Sequence, residues 1–295
     1  MKLKTLKLKA LPLNTIDRVL MVLQLLFWII IGLRLYLSFG SVIKTVKMIN
    51  QLGSEYVQIS ILNDQVNYQQ TKDKTPKWKN INEISKRVTA AIVVSEDGKF
   101  YAHRGFDIEQ ILKVVDMKVR YKKKKVRGAS TITQQLVKNL YLSKEKSLSR
   151  KMKELYYSTL IEEKLSKQKI LEAYLNIIEY GKNIYGIENA SQYYFKKSAK
   201  SLTAKEAAFI AMLLPSPVRY AKSFKIGALT PYARSTINNI LLKMRQAGYI
   251  SESEYQNSLN ERLSFEKQTT ESLSNETEVS EELSDEELGV ESNVE

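Results

Sequence analysis

The stretch Val88–Gly105, VTAAIVVSEDGKFYAHRG, decides how this chain is read. With Ile84 just upstream, Val88 and Ala91 recur at helical spacing and give one helix face an apolar character. The helix ends in AAIVV and runs straight into Ser95, Glu96 and Asp97. A buried helix therefore delivers two carboxylates to its end, followed closely by Phe100, His103 and Gly105. By itself this pattern only suggests chemistry, because a carboxylate at a helix end also serves as a structural partner.

Downstream the same helical logic repeats. Asp107 with Gln110 reads as a capping box, after which Ile108, Ile111, Leu112 and Val115 recur at helical spacing. From Lys167 to Glu179 the residues Ile170, Leu171, Tyr174, Leu175 and Ile178 form one core-facing stripe. Thr203 with Glu206 starts another helix, whose Ala207, Ala208 and Ala211 permit close packing before Pro215 and Pro217 end it. Pro231 opens one more and Gly248 closes it, and Ser251 with Glu254 caps the last. The expected fold class is mostly α, with no internal repeat.

Upstream, residues 40–80 read as a membrane-proximal stalk with a short strand in YVQISIL, where Val57, Ile59 and Ile61 alternate. Before them, residues 19–39, VLMVLQLLFWIIIGLRLYLSF, would cover about 30 Å as a helix, enough to span a bilayer. Gln24 and Arg34 are its imperfections, and Arg34 lies near enough to the end to snorkel. Lys2, Lys4, Lys7, Lys9 and Arg18 precede the span, so residues 1–18 are expected in the cytoplasm and the rest outside, although Lys44 and Lys47 weaken the asymmetry. A cleaved signal peptide is the alternative; the length of the apolar run and the want of a small-x-small site favour an uncleaved single-pass anchor.

The formal charge of +14 implies an anionic partner: nucleic acid, a phospholipid surface or a phosphorylated substrate. Residues 266–295 hold 11 acidic residues and one lysine and read as a disordered acidic tail, which leaves +24 on residues 1–265. The absence of cysteine excludes disulfides and thiolate chemistry, and the single histidine excludes a multi-histidine metal site.

Two further clusters carry polar groups. In GASTITQQLVKN, Gly128–Asn139, Gln135, Lys138 and Asn139 fall at i, i+3 and i+4, so one helix face would carry an amide, a cation and an amide. In RKMKE, Arg150 and Glu154 are four apart, with Lys151 beside them. A carboxylate among cations stays ionised, which suits charge stabilisation or metal binding better than proton donation.

At these residues the chain resembles glycosyltransferase family 51, the peptidoglycan glycosyltransferases, and in particular its monofunctional members. The likeness runs from about Trp78 to Tyr220 through EDGKFYAHRG, GASTITQQLVKN, RKMKE, KQKILEAYLN and LTAKEAAFIAMLLPSPVRY, in family order. It implies a lysozyme-like glycosyltransferase domain at residues 81–265. The implied reaction transfers a growing lipid-pyrophosphate-linked glycan onto the 4-hydroxyl of lipid II, a lipid-linked disaccharide, with inversion and release of undecaprenyl pyrophosphate. Glu96 occupies the family position of the base that takes the hydroxyl proton. Lys138, Arg150, Lys151 and Glu154 occupy the positions that meet the leaving pyrophosphate. Glu154 would act either through Mg2+ or another divalent cation, or by orienting those cations, and no organic cofactor is implied. By the same carry-over Asp97, Ser130, Thr131, Gln134, Gln135 and Asn139 should line the donor and acceptor sites.

Each has a plainer reading. Asp97 would suit a helix terminus, Ser130 and Thr131 helix caps, and His103 a structural histidine. Tyr174 and Asn176 read as core and loop-fixing residues and Glu206 as a cap. The chain departs from the family pattern at Lys146, usually arginine, where a bidentate phosphate contact becomes a point charge. It departs again at Lys196, usually glycine, which puts the turn after Phe195 in question. The run Arg120–Arg127, RYKKKKVR, reads equally as a solvated basic loop or as a flap on anionic lipid or pyrophosphate.

The implied partners are lipid II, the growing lipid-linked glycan, anionic membrane lipids and other cell-wall synthesis proteins, with no nucleic acid. A bifunctional penicillin-binding protein is not the expected reading, since no KTG occurs in these residues and few follow Tyr220. A muramidase or lytic transglycosylase is the enzymatic rival. Its neutral substrate would not require the cations of the second and third motifs. A non-catalytic membrane scaffold would make Glu96 and Glu154 dispensable.

Overall fold

The computed structural model describes residues 15–63, 65–120, 130–143, 145 and 147–267. Their architecture is mostly helical, as the periodicity predicts. Helix α1, Thr15–Gln51, is long and apolar enough to cross a membrane over Leu20–Gln51, and at 37 residues it outruns the bilayer core. The chain divides into two compact units at Ile49.

The second unit begins with Ile49 and Leu52, both buried, and then the hairpin of β1, Tyr56–Leu62, and β2, Gln65–Thr71. The strands pair antiparallel with Leu62 opposite Gln65, and Asn63 takes the positive φ of 49° that so tight a connection needs. The expected alternation holds at Val57, which is buried, and fades toward Ile61, which is exposed. Strand β2 was not legible in the sequence, since QVNYQQT has almost no apolar side to show. Within the segment expected as a stalk, Tyr56 packs edge-on against Trp78 and Val57 is enclosed.

Helix α2, Lys86–Glu96, is capped by Ser85 and buries Val88, Ala91, Ile92 and Val93. It packs on α8, Ala204–Leu213, whose ten residues are all buried, and both pack on α11, Pro231–Gln246. The small side chains of α8 allow that close approach. Helix α3, Ile108–Arg120, starts at Asp107, which accepts the Gln110 N–H at 3.0 Å. Helices α4, Ile132–Tyr141, α5, Leu148–Lys164, and α6, Lys167–Ile177, pack with α4 as the common neighbour of the other two.

Helix α6 ends two residues before the sequence-based expectation because Glu179–Gly181 pairs as β3 with β4, Ile184–Tyr185. Helix α7, Ile187–Phe195, follows. It stops at Lys196, which sits left-handed at φ 57° and ψ 28°. The questioned turn therefore forms, with lysine in a conformation that suits glycine. Short helices α9, Pro217–Tyr220, and α10, Lys222–Ile226, lead to α11, and α12, Glu252–Asn260, is capped by Ser251 as expected. Thr203 and Glu206 form a complete capping box, so the plain reading of Glu206 holds. Phe265 packs among Phe195, Phe209 and Phe224, and the Lys267 N–H donates to Gly227 O at 2.9 Å. Packing thus continues just past the expected tail boundary at residue 266, while the rest of the acidic tail lies outside the described residues.

Candidate active site

Glu96 is the last residue of α2 and is half-buried. Gln135 on α4 donates through Nε2 to Glu96 Oε2 at 3.0 Å, and the Tyr174 hydroxyl on α6 donates to Gln135 Oε1 at 3.0 Å. Three helices thus converge on one carboxylate. Tyr174 is fully enclosed, and its burial, with the Glu96 charge next in weight, pushes the phenol well above its usual range. It stays a donor at neutral pH.

Asp97 is turned inward and only 1% exposed. Its Oδ2 accepts the Ile132 N–H at 3.0 Å, and both of its oxygens lie within 3.0 Å of His103 Nε2. A carboxylate there satisfies one of the free N–H groups at the start of α4 and faces the positive end of the helix dipole. Asp97 joins the end of α2 to the start of α4, the arrangement that the helix-terminus reading expects. His103 completes this joint.

Thr131 is the N-cap of α4 and forms a capping box with Gln134. The Thr131 hydroxyl also donates to Gly105 O at 2.7 Å. Thr131 and Gln134 are buried and build the helix start. Gly105 lies at φ 92°, and a Cβ there would stand 2.9 Å from the Ser158 carbonyl carbon and oxygen. Only glycine lets the loop pass so close to α5.

On α5, Glu154 is 2% exposed and accepts from Arg150 Nη1 at 2.9 Å and from Lys151 Nζ. Lys151 Nζ also reaches Ser130 Oγ at 3.4 Å. Through Ser130 and Gln135, the start of α4 touches both the cation cluster and Glu96. Lys138 and Asn139 lie further along α4; Lys138 is exposed and makes no ion pair or hydrogen bond among the described residues. Lys146 and the basic run 121–127 lie outside the described residues.

Several supporting groups escaped sequence reasoning. Glu162 accepts from Thr133 Oγ1 and from Lys167 Nζ, the latter at 2.8 Å, and Lys167 also donates to His103 O at 2.7 Å and lies over the Phe100 ring. Glu172 accepts from Trp78 Nε1 at 3.2 Å, Ile81 N at 2.9 Å and Lys169 Nζ at 2.8 Å. Asn176 clasps the backbone of Lys79 through both its amide atoms, the loop-fixing role expected of it. A glutamate inside the apolar stripe of α6 was the available signal for Glu172.

The metal reading of Glu154 fits these groups poorly. Among the described residues no three His, Asp or Glu side chains cluster as metal ligands, and both Glu154 oxygens already accept from cations. The arrangement instead offers a half-buried carboxylate held by an amide, and a guanidinium and an ammonium held by a buried carboxylate. Such a pair of sites can take a proton at one point and balance negative charge at another.

Residues 63–245 match the transglycosylase family, so the chain belongs to that family. Penicillin-binding protein 4 of Bacillus subtilis is 40% identical over 187 residues, which are 63% of this chain and 29% of that protein. The biosynthetic peptidoglycan transglycosylase of Shewanella oneidensis is 41% identical over 175 residues, 59% of this chain and 72% of its own. That of Acinetobacter baylyi is 45% identical over 147 residues, covering 50% and 65%. The chain therefore spans less than a third of the first of these relatives and about two thirds or more of the other two.

Proposed function

We propose that this transglycosylase is a peptidoglycan glycosyltransferase that polymerises glycan strands. It moves the growing glycan from its lipid pyrophosphate onto the 4-hydroxyl of lipid II. What carries the reading is the Glu96 carboxylate, held by Gln135, with the Arg150–Lys151–Glu154 cluster tied to the same helix start. Glu96 takes the proton as the hydroxyl attacks the anomeric carbon, since an uncharged sugar hydroxyl is a weak nucleophile. The C–O bond to pyrophosphate breaks on the opposite face, the anomeric centre inverts, and undecaprenyl pyrophosphate leaves against Arg150, Lys151 and Lys138. Glu154 orients the first two of these cations. Helix α1 anchors the chain in the membrane with its N-terminus in the cytoplasm and the catalytic domain outside, where anionic lipids meet the basic surface. Other cell-wall synthesis proteins are the expected protein partners.

The test is incubation of detergent-purified protein with lipid II, products separated by size, beside Glu96→Gln. Long glycan from the unaltered chain alone, with the variant reduced at least about a hundredfold and folded, is the expected result. Digestion of preformed peptidoglycan without polymer would replace the reading with the lytic one.

A further inference from the structure

We infer that Tyr174 is a positioning residue for the reaction: by donating to Gln135 Oε1 it fixes the orientation of the Gln135 amide, and so keeps an N–H, not a carbonyl oxygen, against the Glu96 carboxylate. The inference rests on the proposed function and deepens it.

A glutamine side chain offers a donor and an acceptor on nearly the same outline, and rotation by half a turn exchanges them. Turned one way, Gln135 supports an ionised Glu96; turned the other, its oxygen repels that charge and favours a protonated neighbour. Nothing in α4 itself decides between the two. The decision comes from α6, where the Tyr174 hydroxyl stands 3.0 Å from Gln135 Oε1, and Gln135 Nε2 stands 3.0 Å from Glu96 Oε2. Tyr174 suits the task because it is completely buried and its proton is held far above the range in which the enzyme works. A phenol can donate or accept, but with Gln135 Nε2 turned to Glu96 it is Oε1 that faces Tyr174. Donation from the neutral hydroxyl stabilises that orientation over the reverse, in which Oε1 would meet the Glu96 carboxylate. The position in KQKILEAYLN therefore does more than fill the core, and a phenylalanine of the same shape would fill it equally well.

The experiment compares Tyr174→Phe, Gln135→Ala and the double variant in the lipid II polymerisation assay, with thermal unfolding of each and with unaltered and Glu96→Gln chains as controls. The expected results are a kcat about tenfold lower for Tyr174→Phe, KM within about twofold and a Tm lower by no more than about 5 °C, the cost of one lost hydrogen bond. Gln135→Ala should lose at least as much, and adding Tyr174→Phe to it should cost nothing further, because the hydroxyl then has no amide to orient. Wild-type kcat in Tyr174→Phe, a loss confined to KM, a larger fall in the Tm of that variant, or additive losses in the double variant would each make Tyr174 a core residue only and overturn the inference. Absence of polymer from the unaltered chain would instead overturn the proposed function itself.

Discussion

Glu154 sits beside two cations, one half-buried and one exposed, and its own side chain is almost wholly enclosed. A glutamine there would keep one acceptor oxygen but set an NH2 group against the other cation, so it could no longer aim both Arg150 and Lys151. Glu154→Gln should lower turnover by about ten- to a hundredfold and stability by about 1–3 kcal/mol, measured by initial polymerisation rate and by denaturant titration. Equal rates in variant and unaltered protein would remove Glu154 from the mechanism. Lys196 illustrates the opposite case, a residue whose side chain matters less than its backbone. It holds a left-handed conformation at an exposed helix end, so Lys196→Gly should stabilise the domain by about 0.5–1 kcal/mol and raise Tm by about 2 °C with unchanged activity.

Among the elements, the joint between α2 and α4 does most to place the site. Asp97 and His103 hold the start of α4, Thr131 ties it to Gly105, and Gly105 in turn lies against the backbone of α5. A methyl group at position 105 would meet that backbone while the residue keeps φ 92°, so Gly105→Ala should destabilise by about 2–4 kcal/mol. Activity should fall with it, since Gln135 and Ser130 ride on the same helix. Calorimetry beside the polymerisation assay checks this, and an unshifted Tm would show that the loop can move aside. The α6 face works similarly at longer range, with Glu172 and Asn176 pinning residues 78–81 beneath it. Burying a glutamate is costly unless its oxygens are taken, and here three donors take them.

For the whole molecule, the basic domain and the acidic tail are separable by the packing of Phe265 and Lys267. Ending the chain after Lys267 should leave lipid II polymerisation in detergent within about twofold of the full chain, because the sequence after it is acidic and has no apolar pattern with which to bury a face. Slower turnover in the shortened chain would assign the tail a catalytic duty. Helix α1 is long and apolar enough to cross a membrane, and the mostly helical body that follows the hairpin holds Glu96 and the Arg150–Lys151–Glu154 cluster.

Most helices were legible from signals that act within one or two turns. The caps at Asp107, Thr203 and Ser251, the proline at the start of α11 and the apolar stripes of α2 and α6 all mark elements where the structure has them. The order of motifs from EDGKFYAHRG onward likewise identified the family without any contact being known. Sequence could not say which of the polar residues in those motifs are buried, and Asp97, Thr131 and Gln134, which are, look as chemical in a string of letters as the half-buried Glu96 and Gln135 do. Nor could it reveal the polar strand β2, whose pairing with β1 and whose Tyr68 contact with Tyr185 are made across the fold. Those choices were made by contacts across 26 to 97 residues, such as Thr131 to Gly105, Ile132 to Asp97, Gln135 to Glu96 and Asn176 to Lys79. Local patterning sets helix limits because hydrogen bonds and side-chain faces repeat every few residues. Which buried polar group meets which partner depends on how the helices pack, and only the tertiary structure decides that.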